Sequence, residues 1–130
     1  MVATRSDFGL LLMRVALGGL VLLHGIAKIT GGVLGIQQLL VAHGLPPALS
    51  YGAYFGEVLG PLLLIVGWQA RIGAALIGVN MAAAIFLAHA GELMKLDATG
   101  GWAIELQAIY LLGAIGLLLT GPGRLSFDTR

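Results

Sequence analysis

Four apolar runs, each close to the ~20 residues a helix needs to cross the hydrocarbon core of a bilayer, decide what this chain can fold into. They cover about Phe8 to Ile29, Tyr51 to Trp68, Ile72 to Ala90 and Trp102 to Thr120. In a chain of 130 residues they leave room for little else. The expectation is a single all-α domain, residues 1–130, built as a polytopic membrane four-helix bundle. Hydrophobic residues make up 58% and charged residues 10%, against roughly 25% charged in soluble domains. A soluble fold of this size could not cover so much apolar surface, so the lipid bilayer is the expected solvent. Arg5 precedes the first run in the manner of a signal peptide. The run is long for that role and no small-x-small cleavage site follows cleanly, so it reads as a retained helix.

The connections set the topology. Gln69-Ala70-Arg71 leaves almost no loop between the second and third runs, which makes them an antiparallel hairpin. Gly91 to Gly101 is a short polar crossing that carries Glu92, Lys95 and Asp97. In the longer first connection, Val33 to His43 reads as a short amphipathic helix stopped by Gly44-Leu45-Pro46-Pro47. It is expected to lie on the membrane surface or to cap the bundle mouth. With both termini on one side, that side carries Arg5, Arg71, Arg124 and Arg130, and the other carries Lys28 and Lys95. The positive-inside rule then places both termini in the cytoplasm.

Charge and sulfur exclude several classes. A net charge of +1, with no basic stripe or aromatic platform, argues against a nucleic-acid partner. The absence of cysteine excludes disulfides, thiolate metal sites and thiolate-held Fe–S clusters in this chain. No nucleotide or haem motif is recognisable, and His24 and His89 sit too near one membrane edge to suggest haem. If the chain takes part in redox chemistry, electrons must travel on a bound cofactor or a partner. The glycines Gly18, Gly19, Gly25, Gly73 and Gly78 suit close helix packing.

Ionisable groups are costly within a bilayer and usually face a bundle interior or an aqueous cavity. Arg14, His24, Lys28, Glu57, His89, Glu92 and Glu105 need placing. His24 and Lys28 are i,i+4 and share a helix face. All but Arg14 fall at helix ends on the side away from the termini, which predicts an outward-opening polar pocket. Arg14 lies about 15 Å deeper than His24 at ~1.5 Å per residue, and snorkelling to the cytoplasmic surface is its alternative. Lys28 and Glu92 could equally reach headgroups or water. Glu57 and Glu105 each interrupt an apolar run, and with His24 and His89 they suit proton exchange with a reducible ligand such as a quinone. Metal ligation is the weaker alternative, since no Glu-x-x-His pair of the di-iron type is present. Asn80 and Gln107 read as interhelical hydrogen-bonding groups.

Certain residues also carry a resemblance. Arg14-Val15-Ala16-Leu17-Gly18 precedes His24-Gly25-Ile26-Ala27-Lys28, and Gly44-Leu45-Pro46 follows. Then come Glu57, Gly60, Gly67, Arg71, His89 and Glu105, and finally Gly121-Pro122-Gly123-Arg124-Leu125-Ser126-Phe127-Asp128. In this order and spacing the chain resembles the DoxX family of small four-helix bacterial membrane proteins, from Arg14 to Asp128. The resemblance implies the bacterial cytoplasmic (inner) membrane and association with oxidoreductase systems. One branch of that family is a subunit of a thiosulfate:quinone oxidoreductase, and others are linked to oxidative-stress complexes. The expected function is therefore a membrane subunit of a quinone-linked redox system, with a protein partner or a homo-oligomer. Glu57, Glu105, His24 and His89 would exchange protons, while Arg14 and Lys28 would hold an anionic ligand group or balance the carboxylates. The alternative is a non-enzymatic scaffold that recruits a soluble redox or stress-response enzyme through its outer loop or its tail after Gly121. Transport finds no support from discontinuous helices or internal repeats.

Overall fold

A computed structural model describes residues 2–128; Arg130, counted above among the terminal-side cations, lies outside them. Five helices organise the described residues. Helix α1 runs Arg5–Gly31 and starts ahead of the apolar run at Phe8 because Thr4 and Asp7 cap each other. The Thr4 hydroxyl accepts from the Asp7 amide at 3.3 Å, and the Asp7 carboxylate accepts from the Thr4 amide at 2.8 Å. Helix α2 is the short Leu34–Ala42. Helix α3, Pro47–Val66, begins before the expected Tyr51 because Pro47 is pre-set for a first helical turn. It stops at Gly67, whose φ of 82° is a left-handed conformation that favours glycine.

Helix α4 runs Ala70–Ala88, followed by a 3-10 turn at Ala90–Glu92. Helix α5 is Glu105–Thr120, which starts later than the expected Trp102. Trp102 belongs to the loop instead, bridging to Leu96 and donating its indole N–H to the Leu93 carbonyl at 2.8 Å. Among the described residues no strand forms.

By length and composition α1, α3 and α4 can each cross a membrane. Helix α5 is apolar but has 16 residues, roughly 24 Å of rise. The long helices close a ring in which α1 packs on α3, α3 on α4, α4 on α5 and α5 on α1. Val2 and Arg124 meet on one side, so both chain ends of the bundle lie together. Helix α2 packs on the first turn of α3 and on α4, at the other side.

The packing is that of a protein whose outside is lipid. Leu12, Leu23, Val79, Phe86, Ile109 and Leu119 are all exposed, while Arg14 and Glu57 are buried. In lipid, helices gain little from hiding apolar surface and associate through close van der Waals contact. The backbones approach accordingly: a Cβ on Gly60 would lie 2.9 Å from the Gly73 carbonyl oxygen of α4. Between the helices, Val21, Leu64 and Ile77 fill the core completely.

Candidate functional site

Pro61 has no N–H, so the Glu57 carbonyl four residues earlier lacks its ordinary helical donor. The backbone accommodates this by widening into a π-helical turn over Phe55–Leu59, in which the Gly60 amide reaches back to the Phe55 carbonyl. The Glu57 carbonyl lies against Gly25 of α1, where any Cβ would collide with it. That contact brings the next turn of α1 to the Glu57 side chain, since Gly25 and Lys28 are i,i+3 on one face.

Glu57 is 5% exposed, and each of its carboxylate oxygens has a partner. Lys28 Nζ donates to Oε1 at 2.6 Å and Asn80 Nδ2 of α4 donates to Oε2 at 2.9 Å. The Tyr54 hydroxyl donates to the Lys28 carbonyl at 3.2 Å, fixing the end of α1 to α3. An unpaired carboxylate at membrane depth costs about 2.5–3.5 kcal/mol or more, so the ammonium and the amide let Glu57 stay buried.

His89 forms a second polar centre. Its Nδ1 lies 3.2 Å from Glu92 Oε1, and its Nε2 lies 3.4 Å from the Gln107 amide nitrogen of α5. A carboxylate only accepts and an amide nitrogen only donates. With Nδ1 protonated, the ring would donate to Glu92 and accept from Gln107. His24 packs edge-on against Tyr110 with ring centroids 6.0 Å apart.

A cavity of about 740 Å³ joins these centres, and His24, Lys28, Glu57, Asn80, His89 and Gln107 all line it. Helix α2 covers it with Ile36, Leu39 and Leu40, so of the two positions expected for this helix it takes the one at the bundle mouth. Two of the expected site residues are not part of it. Glu105 is exposed at the start of α5, where the helix dipole favours a carboxylate, and its side chain borders Gly101. Arg14 is fully buried on the side of the chain ends. Among the described residues no three His, Asp or Glu side chains are grouped as a metal ion would require. Asn80 and Gln107 bond across helices as their positions within apolar runs suggested. Tyr110, which closes the cavity behind His24, gave no signal in the sequence beyond being a polar tip in such a run.

A sequence model of the DoxX family matches residues 9–90. The chain belongs to the DoxX family. It is 31% identical over 122 residues to a Bacillus subtilis (strain 168) protein named "Putative oxidoreductase CatD", covering 94% of this chain and 86% of that one. It is also 31% identical over 121 residues to a Haemophilus influenzae protein named "Uncharacterized protein", covering 91% of this chain and 87% of the relative. No solved structure matches the chain.

In this DoxX chain, the glycine- and proline-rich stretch Gly121–Asp128 serves as a clasp. The Phe127 and Asp128 amides both donate to the Gly67 carbonyl, at 3.1 and 3.0 Å. The Asp128 carboxylate accepts from the Gln69 and Ala70 amides at 2.5 and 3.0 Å, capping α4 from a distant part of the sequence. Arg124 donates its amide to Asp7 at 3.0 Å and its guanidinium to the Val2 carbonyl at 3.0 Å. Arg14 holds the centre of this layer, donating to the Leu64 carbonyl at 3.0 Å and to the Leu125 carbonyl. Its place under Gly67 corrects the expectation that it faces a ligand. The guanidinium satisfies backbone carbonyls that α3 and the tail leave open. The tail, up to Asp128, is bound to its own bundle.

Proposed function

We propose that this protein is an integral membrane subunit of a quinone-linked redox system, crossing a bacterial cytoplasmic membrane four times with both termini in the cytoplasm. The observation that carries the reading is the partly buried Lys28–Glu57–Asn80 cluster facing a 740 Å³ cavity that His24 and His89 also line. Arg5, Arg71 and Arg124 against Lys28 and Lys95 favour the orientation. The shorter α5 fits a bilayer that thins locally around it. The name of the Bacillus subtilis relative adds support for redox work.

Reduction of a quinone takes up two protons with two electrons, so its site needs groups that exchange protons and donors that hold the two carbonyl oxygens. His89, which lines the cavity, takes or returns a proton, with the Glu92 carboxylate 3.2 Å from its Nδ1 orienting the ring. Glu57 is the second exchanging group, and Lys28 donates to a ligand oxygen while balancing the carboxylate. Without cysteine in the chain, the electrons travel on a bound cofactor or a partner redox protein, and a partner makes this protein a subunit. Titration of purified protein with quinone tests the reading: saturable binding that Glu57→Gln and His89→Ala weaken supports it, and no binding by the unmodified protein ends it.

A second reading has one observation in its favour. The Lys28–Glu57–Asn80 cluster is mutually satisfied, as a purely structural lock between helices would be. In that case the protein is a scaffold for a soluble redox or stress-response enzyme. Glu57→Gln then lowers stability and assembly together and leaves no ligand affinity to lose.

A further inference from the structure

The cavity does not end at its polar cluster. Its wall continues from His89 and Asn80 past Ala83 to Val79, Leu76, Ala75 and Ile72. Ile72, Ala75, Leu76, Val79, Asn80 and Ala83 form a single stripe of α4 at the i, i+3, i+4, i+7 spacing of one helix face, and His89 follows the helix end at Ala88. Val79 and Ile72 are 71% and 54% exposed, so this part of the wall faces lipid. From Ala83 to Ile72 the stripe runs roughly 17 Å at ~1.5 Å per residue, over half of the ~30 Å thickness of a hydrocarbon core.

The polar and apolar parts belong to one cavity lined by residues of both α3 and α4. The two helices touch where Gly56 meets the Asn80 side chain. On the α2 side of that contact the cavity is bordered by Gly52 and Ala53 of α3 and by Ala83 and Ala84 of α4, with Leu39 and Leu40 of α2 as its roof. Small residues on both sides are what a lateral window to the bilayer would require. The charge of the inner part bears on what enters. Its one lysine, Lys28, is already neutralised by Glu57 at 2.6 Å. A phosphate head group would bring an uncompensated negative charge into that space, whereas a neutral carbonyl-bearing ring would not.

We propose that this cavity takes a tailed membrane quinone through the side of the bundle, the ring among Lys28, Glu57 and His89 and the isoprenoid tail lying along the α4 stripe. The inference rests on the quinone reading above and adds the path and the selectivity. The window admits ligand from the bilayer core, and a tail that fills the stripe distinguishes a membrane-resident quinone from a compact soluble one.

Two quinones with the same ring, one tail-free and one carrying an isoprenoid tail, test it by titration into purified protein and two variants. Ala83→Phe narrows the window and Ala75→Phe fills the stripe beyond it; Ala83 is exposed to lipid and Ala75 half-exposed. Each variant is expected to weaken the tailed quinone by about tenfold or more, the usual consequence of overfilling a fitted space, and to leave the tail-free one within about twofold. Unchanged binding of the tailed quinone in both variants overturns the tail path. So does equal loss of both quinones, which would mean the stripe acts on the ring site. A co-purifying phospholipid that the tailed quinone fails to displace overturns the choice of occupant. If the unmodified protein binds neither quinone, the proposed function itself falls.

Discussion

The Lys28 ammonium stands 2.6 Å from the Glu57 carboxylate, joining α1 and α3 where the Gly25 and Glu57 backbones already touch. Neither group is tolerable there alone. Lys28→Met leaves a carboxylate held by Asn80 only and is expected to cost about 2–3 kcal/mol. That lies at or below the low end for a buried pair because the Lys28 side chain keeps 24% of its exposure. The double substitution Lys28→Met with Glu57→Gln should recover most of the loss. Thermal unfolding in a mild detergent measures this cycle; strictly additive losses would mean the two groups do not interact.

Gly25 should be far less replaceable than its neighbours in α1. A Cβ there meets the Glu57 carbonyl, while one on Gly19 meets nothing within 4 Å. Gly25→Ala is expected to lower stability by about 1–3 kcal/mol and to loosen the Lys28–Glu57 contact. Gly19→Ala should be neutral or slightly stabilising, as alanine is in a helix. Equal melting temperatures for the two variants would contradict the close approach of α1 and α3.

The Asp128 cap can be tested without touching the cavity. Asp128→Ala removes the acceptor for the Gln69 and Ala70 amides, and the expected loss is about 0.5–2 kcal/mol. Hydrogen exchange should quicken at those two amides first. Protection unchanged at Gln69 and Ala70 would count against the clasp.

The loop between α4 and α5 should respond to acid. The Thr99 hydroxyl, then the Thr99, Gly101 and Gly100 amides, hold the Asp97 carboxyl below its ordinary range. Its folded pKa is thus lower than its unfolded one. The stabilisation is present above the unfolded value and is lost as pH falls through the folded one. Amide exchange at Thr99 and Gly101, followed through the acid range, should lose protection there. In Asp97→Ala the exchange should show no such acid step.

Much of the architecture was legible because bilayer thickness imposes a length on each apolar run, and the short connections then dictate which helix ends meet. His24, Lys28, Glu57 and His89 converge for that reason. The exceptions share a cause. The partners of Arg14, the Leu64 and Leu125 carbonyls, are backbone groups, and backbone acceptors leave no trace in residue identity. The Asp128 cap bridges distant segments, so no local spacing announces it. Glu105 is the first residue of α5 and stays exposed outside the cavity, because the helix starts later than the apolar run at Trp102 and that start is not marked in the residue types. The π turn was half legible: Pro61 marks a disturbed backbone at Glu57, but the sequence does not say whether a helix kinks or widens.

The clasp also bears on how the protein is made. Arg14 and the Leu125 carbonyl are 111 residues apart, so the first helix must enter the membrane while one of its guanidinium's acceptors is still unsynthesised. Until Leu125 arrives, that charge has to be sheltered by water, by lipid headgroups or by the insertion machinery. Completion of the C-terminal segment is therefore the event that settles the N-terminal helix, and a chain arrested before it should remain a recognisable substrate for membrane quality control.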